Sequence, residues 1–273
     1  MKPFLIGDAE VGGPRLFVLA GPCIVEGEEM CIEIARHLKS ACAARGLPLV
    51  FKASYRKANR SSGRSFTGLP MEEALAILAR VKREVGVPVL TDVHEQIEVA
   101  PAADVADCLQ IPAFLCRQTG LLLAAARSGR AVNVKKGQFL APADMRNAVE
   151  KLAGAGGQRI LLTERGTTFG YHDLVVDFRG FIIMRELGWP VVYDATHSLQ
   201  RPGGDQTGGD RRFAFPLMRA AVACGVDGLF FETHPDPPHA LSDAETQLPL
   251  DQVQGFLDEA VSVRQAVSGR TRA

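Results

Sequence analysis

Residues 160–165 read Ile160-Leu161-Leu162-Thr163-Glu164-Arg165, a short apolar run of strand type that ends on three residues able to do chemistry. The same construction recurs along the chain. Upstream, Phe17–Ala20 runs into Gly21, Pro22 and Cys23, and Leu49–Phe51 ends on Lys52. Pro88–Leu90 ends on Thr91 and Asp92, Cys108–Leu109 on Gln110, and Val132–Val134 on Lys135 and Lys136. Downstream, Val191–Tyr193 leads to Asp194 and His197, and Leu229–Phe231 ends on Glu232. Segments of helical periodicity separate these runs. Alternation of strand and helix repeated eight times predicts a (β/α)8 TIM barrel, whose active site gathers at the C-terminal ends of its strands. The polar residues stand at those ends, so the chain reads as an enzyme.

The 273 residues fit one such barrel, which typically needs about 250. We therefore expect a single domain over 1–273, with a short extra strand within 1–7 and a frayed tail at 268–273. Helices are expected over Glu28–Arg45, Met71–Val85, Ile97–Ala103, Thr119–Arg127, Ala143–Ala153, Phe178–Leu187, Phe215–Cys224 and Leu250–Val267, with Gly46 and Gly86 as stops. Two long polar loops, Ser54–Gly68 and Ser198–Arg212, lie on the strand-end face, where long loops are usually functional.

Lys plus Arg equals Asp plus Glu at 31 each, which leaves no electrostatic case for nucleic acid or an anionic membrane. No apolar stretch reaches the roughly 20 residues that span a bilayer, and the opening MKPFLIGDAEVGG is a poor signal peptide. Six Cys without a CxxC pair read as reduced thiols, which predicts the cytoplasm. Cys31, Cys42 and Cys224 fall on apolar helix faces and are expected in the core, as are Cys108 and Cys116 beside the fourth strand. His94, His172, His234 and His239 fall in loops on the functional face.

Two constellations carry chemistry. Lys52, Lys57, Arg60, Lys135, Lys136 and Arg165 converge on one mouth and imply an anionic ligand, with at least two phosphate-sized groups accommodated. Cys23, His197, Glu232 and Asp243 follow strands one, seven and eight, which are neighbours around a closed barrel, and all are ligand types for Zn²⁺ or a similar ion. Their spacing has no local pattern. A Cys packed after Pro22 and a hydrogen-bonded loop His fit the same residues equally well.

The motifs AGPCIVEG, FKASYRKANRSS, TDVHE, LQIPAFLCRQT, NVKKGQF, TERGTTFGY, VVYDATHSLQ, FFETHPDP and LSDAETQLPL occur in order from about Phe17 to Leu250. In this the chain resembles the 3-deoxy-D-manno-octulosonate 8-phosphate synthases. KANRSS is the most specific motif, because the related heptulosonate 7-phosphate synthases carry a KPRT-type sequence there. The resemblance implies a (β/α)8 barrel, commonly a homotetramer, that condenses phosphoenolpyruvate with D-arabinose 5-phosphate. It implies that Lys52, Lys57, Gln110, Ala113, Lys135 and Arg165 bind phosphoenolpyruvate, and that Asn59, Arg60 and Ser61 bind arabinose 5-phosphate. Lys52, Asp92, Lys135 and His197 are its catalytic candidates. Metal-independent members carry Asn after AGP and metal-dependent members carry Cys. Cys23 therefore implies one divalent transition ion per chain (Zn, Fe or Mn), held by Cys23, His197, Glu232 and Asp243. The alternatives are a sister synthase with a different acceptor sugar, or a non-catalytic sugar-phosphate-binding barrel.

Overall fold

The computed structural model describes residues 2–58, 66–202 and 208–268. Eight parallel strands form the barrel: Phe17–Gly21, Leu49–Lys52, Val89–Asp92, Cys108–Ile111, Ala131–Lys135, Ile160–Glu164, Val191–Asp194 and Gly228–His234. They pair in chain order, and the ring closes where the eighth strand pairs with both the first and the seventh. Helices Glu28–Ala43, Met71–Val85, Val99–Val105, Thr119–Arg127, Met145–Gly154, Arg179–Arg185, Ala214–Ala223 and Val253–Ser268 follow the strands in turn.

Strand side chains alternate between two environments, as the period of two requires. Val18, Phe51, Val89, Leu109, Val132, Leu162, Tyr193 and Phe231 pack outward with the helices in the larger core. Phe17, Leu19, Val50, Leu90, Cys108, Ala131, Leu161, Val192 and Phe230 fill the barrel interior. The next inward positions toward the strand ends are Lys52, Asp92, Gln110, Asn133, Thr163, Asp194 and Glu232, all buried. The interior is thus an apolar floor under a polar storey. Each strand reaches at least one residue beyond its apolar run, and all but the first take a polar residue into the parallel ladder.

The N-terminal expectation is met and enlarged. Phe4–Ile6 pairs antiparallel with Ala9–Val11, and Ile6, Ala9 and Val11 join the interior apolar cluster, so the hairpin plugs the floor. Gly228 has a packing reason to be glycine. A Cβ there would lie 2.5 Å from the Phe17 ring, which crosses the floor at that point.

Helices Met71–Val85 and Thr119–Arg127 keep the expected bounds. Several others start later because a 3-10 turn precedes them, as at Pro142–Asp144 and Leu250–Gln252. Cys224 is a correction: it is exposed at the end of its helix, where the apolar face has already turned from the barrel, whereas the other five Cys are buried. The expected tail falls mostly on residues 269–273, outside the described residues; Ser268 still belongs to the last helix.

Candidate active site

The strand ends open into a cavity of about 740 Å³ lined by Lys52, Ser54, Lys57, Asp92, His94, Gln110, Ala113, Lys135, Gln138, Arg165, His197, Gln200 and Asp243, among others. Its floor is tied across strands by side chains that share the inward face. Gln110 Nε2 donates to Asn133 Oδ1 at 2.6 Å, and Asn133 Nδ2 donates to Thr163 Oγ1 at 2.6 Å. These amides fix Gln110 beneath the mouth.

The lysines of the mouth have carboxylates beside them. Lys52 Nζ lies 2.5 Å from Glu232 Oε1, both fully buried, and donates to Cys23 O at 2.9 Å. Lys57 Nζ stands 3.9 Å from the same carboxylate oxygen. Lys135 Nζ pairs with Asp194 at 2.8 Å and sits 4.0 Å above the Phe230 ring. Burial pushes the Glu232 carboxyl up, but Lys52, His197, Lys57 and Lys135 outweigh it and hold the group well below the usual carboxylate range. Burial lowers Lys135 despite Asp194.

Arg165 differs from the three lysines. Burial lowers its pKa, and among the described residues no carboxylate lies within ion-pair distance of it. Its Nη2 donates to Gln200 Oε1 at 2.5 Å, while Nη1 is buried without a partner. Ser54 Oγ, Asp92 Oδ1 and Gln138 Oε1, on the same cavity wall, are also buried without partners. A buried polar atom left unpaired is costly. The set therefore asks for one ligand group that is anionic, at Arg165, and for others that donate hydrogen bonds, at Asp92 and Gln138. A phosphorylated or carboxylated molecule bearing hydroxyls meets both demands.

Asp92 is held from behind. Its Oδ2 lies 3.1 Å from His94 Nε2, and Glu98 Oε2 accepts from the His94 backbone N–H at 2.7 Å and from Tyr55 OH at 2.5 Å. Burial raises Asp92, but the His94 contact, with Lys57 and Lys52, carries it far below the ordinary value.

Beside Lys52, one donor atom each from Cys23, Glu232 and Asp243 lie within 4.8 Å of one another. Cys23 Sγ donates to Asp243 Oδ2 at 2.9 Å, and burial, then Asp243 and Glu232, push the thiol well up. Glu232 Oε2 is buried without a partner. Asp243 adopts φ +49°, a left-handed conformation uncommon outside glycine, and the strain is a mark of functional positions. His197 stands at the edge of this group: its Nε2 is 3.6 Å from Glu232 Oε1, and its Nδ1 faces Asp194 at 2.9 Å. One thiol, one imidazole and two carboxylates, one with an orphaned oxygen, suit a transition ion that accepts mixed S, N and O ligands.

Of the residues expected here, Lys52, Lys57, Asp92, Gln110, Ala113, Lys135, Arg165, His197 and Asp243 line the cavity, with Cys23 and Glu232 directly behind it. Asn59, Arg60 and Ser61 lie outside the described residues. Lys136 is a correction. One step along the strand from inward-facing Lys135, it points outward, where its Nζ bonds Gly137 O, Leu140 O and Thr167 Oγ1 and lies 3.5 Å from Glu164. It secures loops and does not face the mouth. His94 lines the cavity, whereas His239 is exposed, paired with Asp236 at 2.6 Å. His172 is also exposed, and His234 ends the eighth strand, buried. The sequence reading passed over Asn133, Ser54, Gln138 and Gln200. Period-two counting back from Lys135 finds Asn133; nothing local marks the other three.

Residues 6–268 match the family model described as the DAHP synthetase I family. A relative from Trichlorobacter lovleyi is 55% identical over 259 residues, covering 94% of this chain and 95% of its own. One from Syntrophotalea carbinolica is 54% identical over 271 residues, covering 98% of each. One from Koribacter versatilis is 52% identical over 273 residues, again covering 98% of each. All three are named 2-dehydro-3-deoxyphosphooctonate aldolase.

Proposed function

The chain belongs to the DAHP synthetase I family, and from that membership and the chemistry of the mouth we infer that it condenses phosphoenolpyruvate with D-arabinose 5-phosphate and water. The products are 3-deoxy-D-manno-octulosonate 8-phosphate and inorganic phosphate, a step in making lipopolysaccharide precursors. The chain is an enzyme, a transferase that forms a C–C bond. The observation that carries this reading is Arg165. It is a buried guanidinium with Nη1 unpartnered, facing a cavity whose other unpartnered atoms include Asp92 Oδ1 and Gln138 Oε1, both able to accept hydrogen bonds from hydroxyls.

Phosphoenolpyruvate is assigned to Lys52, Lys57, Gln110, Ala113, Lys135 and Arg165, and the acceptor sugar to Asn59, Arg60 and Ser61. C3 of phosphoenolpyruvate attacks the aldehyde carbon, water adds to C2, and C–O cleavage then expels phosphate. Arg165 and Lys57 hold the anionic groups. Lys52 and Lys135 keep carboxylate partners within 2.8 Å, so their charges are fixed in place before substrate arrives. Such a preorganised field stabilises charge developing at C2 and brings together two anions that otherwise repel. Asp92, with its Oδ2 engaged by His94 and its Oδ1 unengaged, stands ready to accept a hydrogen bond from a sugar hydroxyl at that second oxygen.

We assign one divalent transition ion (Zn²⁺, Fe²⁺ or Mn²⁺) to Cys23, His197, Glu232 and Asp243, supported by the orphaned Glu232 Oε2. When bound, such an ion polarises a carbonyl or lowers the pKa of a bound water. We also assign the protein to the cytoplasm, where six free thiols persist, and to a homotetramer. The assembly is supported by Phe114, Phe139, Phe169 and Tyr171, exposed on the loops after strands four to six. No helix among the described residues is long and apolar enough to cross a membrane. The test is phosphate release from phosphoenolpyruvate with arabinose 5-phosphate or erythrose 4-phosphate, with and without chelator. Turnover with the five-carbon sugar is expected, and equal or better turnover with the four-carbon sugar overturns the assignment.

A further inference from the structure

Gln200 joins two parts of the mouth that otherwise share no hydrogen-bond partner among the described residues. Its Oε1 accepts from Arg165 Nη2 at 2.5 Å, and its Nε2 donates to Asp243 Oδ1 at 3.0 Å. The second Asp243 oxygen accepts from Cys23 Sγ. A continuous chain of directed hydrogen bonds therefore links the guanidinium, through Gln200 and Asp243, to the cysteine. Gln200 itself lines the cavity and closes the 3-10 turn that starts at His197. Its backbone is fixed by pairing with Gly209.

The carboxamide has only one workable orientation here. Turned by half a rotation, it would set an NH₂ against a guanidinium and a carbonyl against a carboxylate. Two repulsions would replace two bonds. Arg165 and Asp243 thus set each other's position through one rigid planar group. An anion on the unpartnered Arg165 Nη1 immobilises the guanidinium, hence the amide, hence the strained Asp243. The ordering that a metal ion would need at Asp243 is then already in place, and the reverse also holds. Binding energetics of this kind are reciprocal.

We propose that Gln200 is a positioning residue that couples occupancy of the substrate-anion site at Arg165 to occupancy of the metal site at Asp243. This rests on the function proposed above. Direct attraction between a bound anion and a bound cation persists whatever stands at position 200, so the quantity that reports on Gln200 is the change in coupling on substitution.

Co²⁺ serves as the probe ion, its uptake read from the thiolate-to-cobalt absorption band with and without saturating phosphoenolpyruvate. Phosphoenolpyruvate binding is measured by calorimetry with and without Co²⁺. In the unsubstituted protein each ligand should tighten the other by the same factor, on the order of fivefold or more. Gln200→Met keeps the length and removes both bonds, and should reduce that factor by roughly twofold or more from its unsubstituted value. Gln200→Glu keeps the acceptor toward Arg165 but faces Asp243 with a like charge. It should weaken the coupling likewise while metal-free phosphoenolpyruvate affinity stays closer to that of the unsubstituted protein, and it carries the comparison if the Met variant does not fold. Coupling unchanged in either folded variant overturns this inference alone. An unsubstituted protein that takes up neither Co²⁺ nor phosphoenolpyruvate overturns the proposed function, and this inference with it.

Discussion

Replacing Glu232 by Gln removes one charge from a fully enclosed ion pair and leaves the shape almost unchanged. Lys52 and Glu232 are 1% and 0% exposed, with Nζ and Oε1 2.5 Å apart. The amide oxygen still accepts from Lys52, but an ammonium with no countercharge is left in a site closed to water, with Lys57 another cation close by. Removing one partner from a buried pair costs about 3–5 kcal/mol. For 273 residues, an unfolding entropy near 2.1 cal/mol/K per residue gives a total of about 0.57 kcal/mol/K, so the melting temperature should fall by about 5–9 °C. The measurement is thermal unfolding by calorimetry in chelator, so that loss of a metal ligand does not enter. The exposed pair Arg80–Glu28, at 45% and 37% exposure, is the control: Arg80→Ala should leave the melting temperature where it was. A Glu232→Gln protein that melts with the wild type would refute the view that this carboxylate neutralises the lysine end of the mouth.

Three further outcomes are expected. Arg60→Ala should raise the arabinose 5-phosphate KM roughly ten- to a hundredfold, the worth of a charge-assisted hydrogen bond of about 1.5–3 kcal/mol, with a smaller effect on the phosphoenolpyruvate KM; steady-state kinetics decide it. Cys23→Ala should abolish both metal content and turnover, and Cys23→Asn should keep partial turnover that no longer responds to chelator; full activity of metal-stripped wild-type protein would sink the metal assignment. Gly228→Ala should cost about 1–3 kcal/mol of stability by forcing the Phe17 ring from the floor, with kinetic constants unchanged, so a normal melting curve would count against the packing argument.

The eight-strand reading succeeded because the buried ladder demands apolar outward positions on every strand, and runs such as Ile160–Leu162 are long enough to show it. The reading stopped each strand short. Lys52, Gln110 and Lys135 look like loop residues by hydropathy, yet they pair in the ladder because their side chains point into the mouth and not into the helix layer. The same alternation separates Lys135 from Lys136, and charge counting without it put both on one face. The carboxylate partners were visible as residues but not as partners. Lys52 and Glu232 are 180 positions apart and meet only because strand eight closes against strand one. Gln200 was hidden for a similar reason. A glutamine has no local signature, and its two contacts come from the residue just after strand six and from the segment after strand eight.

The hairpin on the barrel floor also constrains how the chain can assemble. Ile6, Ala9 and Val11 bury themselves against Phe17 and Leu19, but the layer they complete includes Val192 and Phe230. On a ribosome the hairpin emerges before the barrel strands, while the strand that closes the ring follows about 200 residues later. At roughly 5–20 residues per second, the apolar underside of the nascent barrel stays open for on the order of 10–40 s. During that interval the growing chain carries an uncovered greasy surface. Chaperones that shield nascent chains should therefore matter more for the yield of this protein than its final stability suggests.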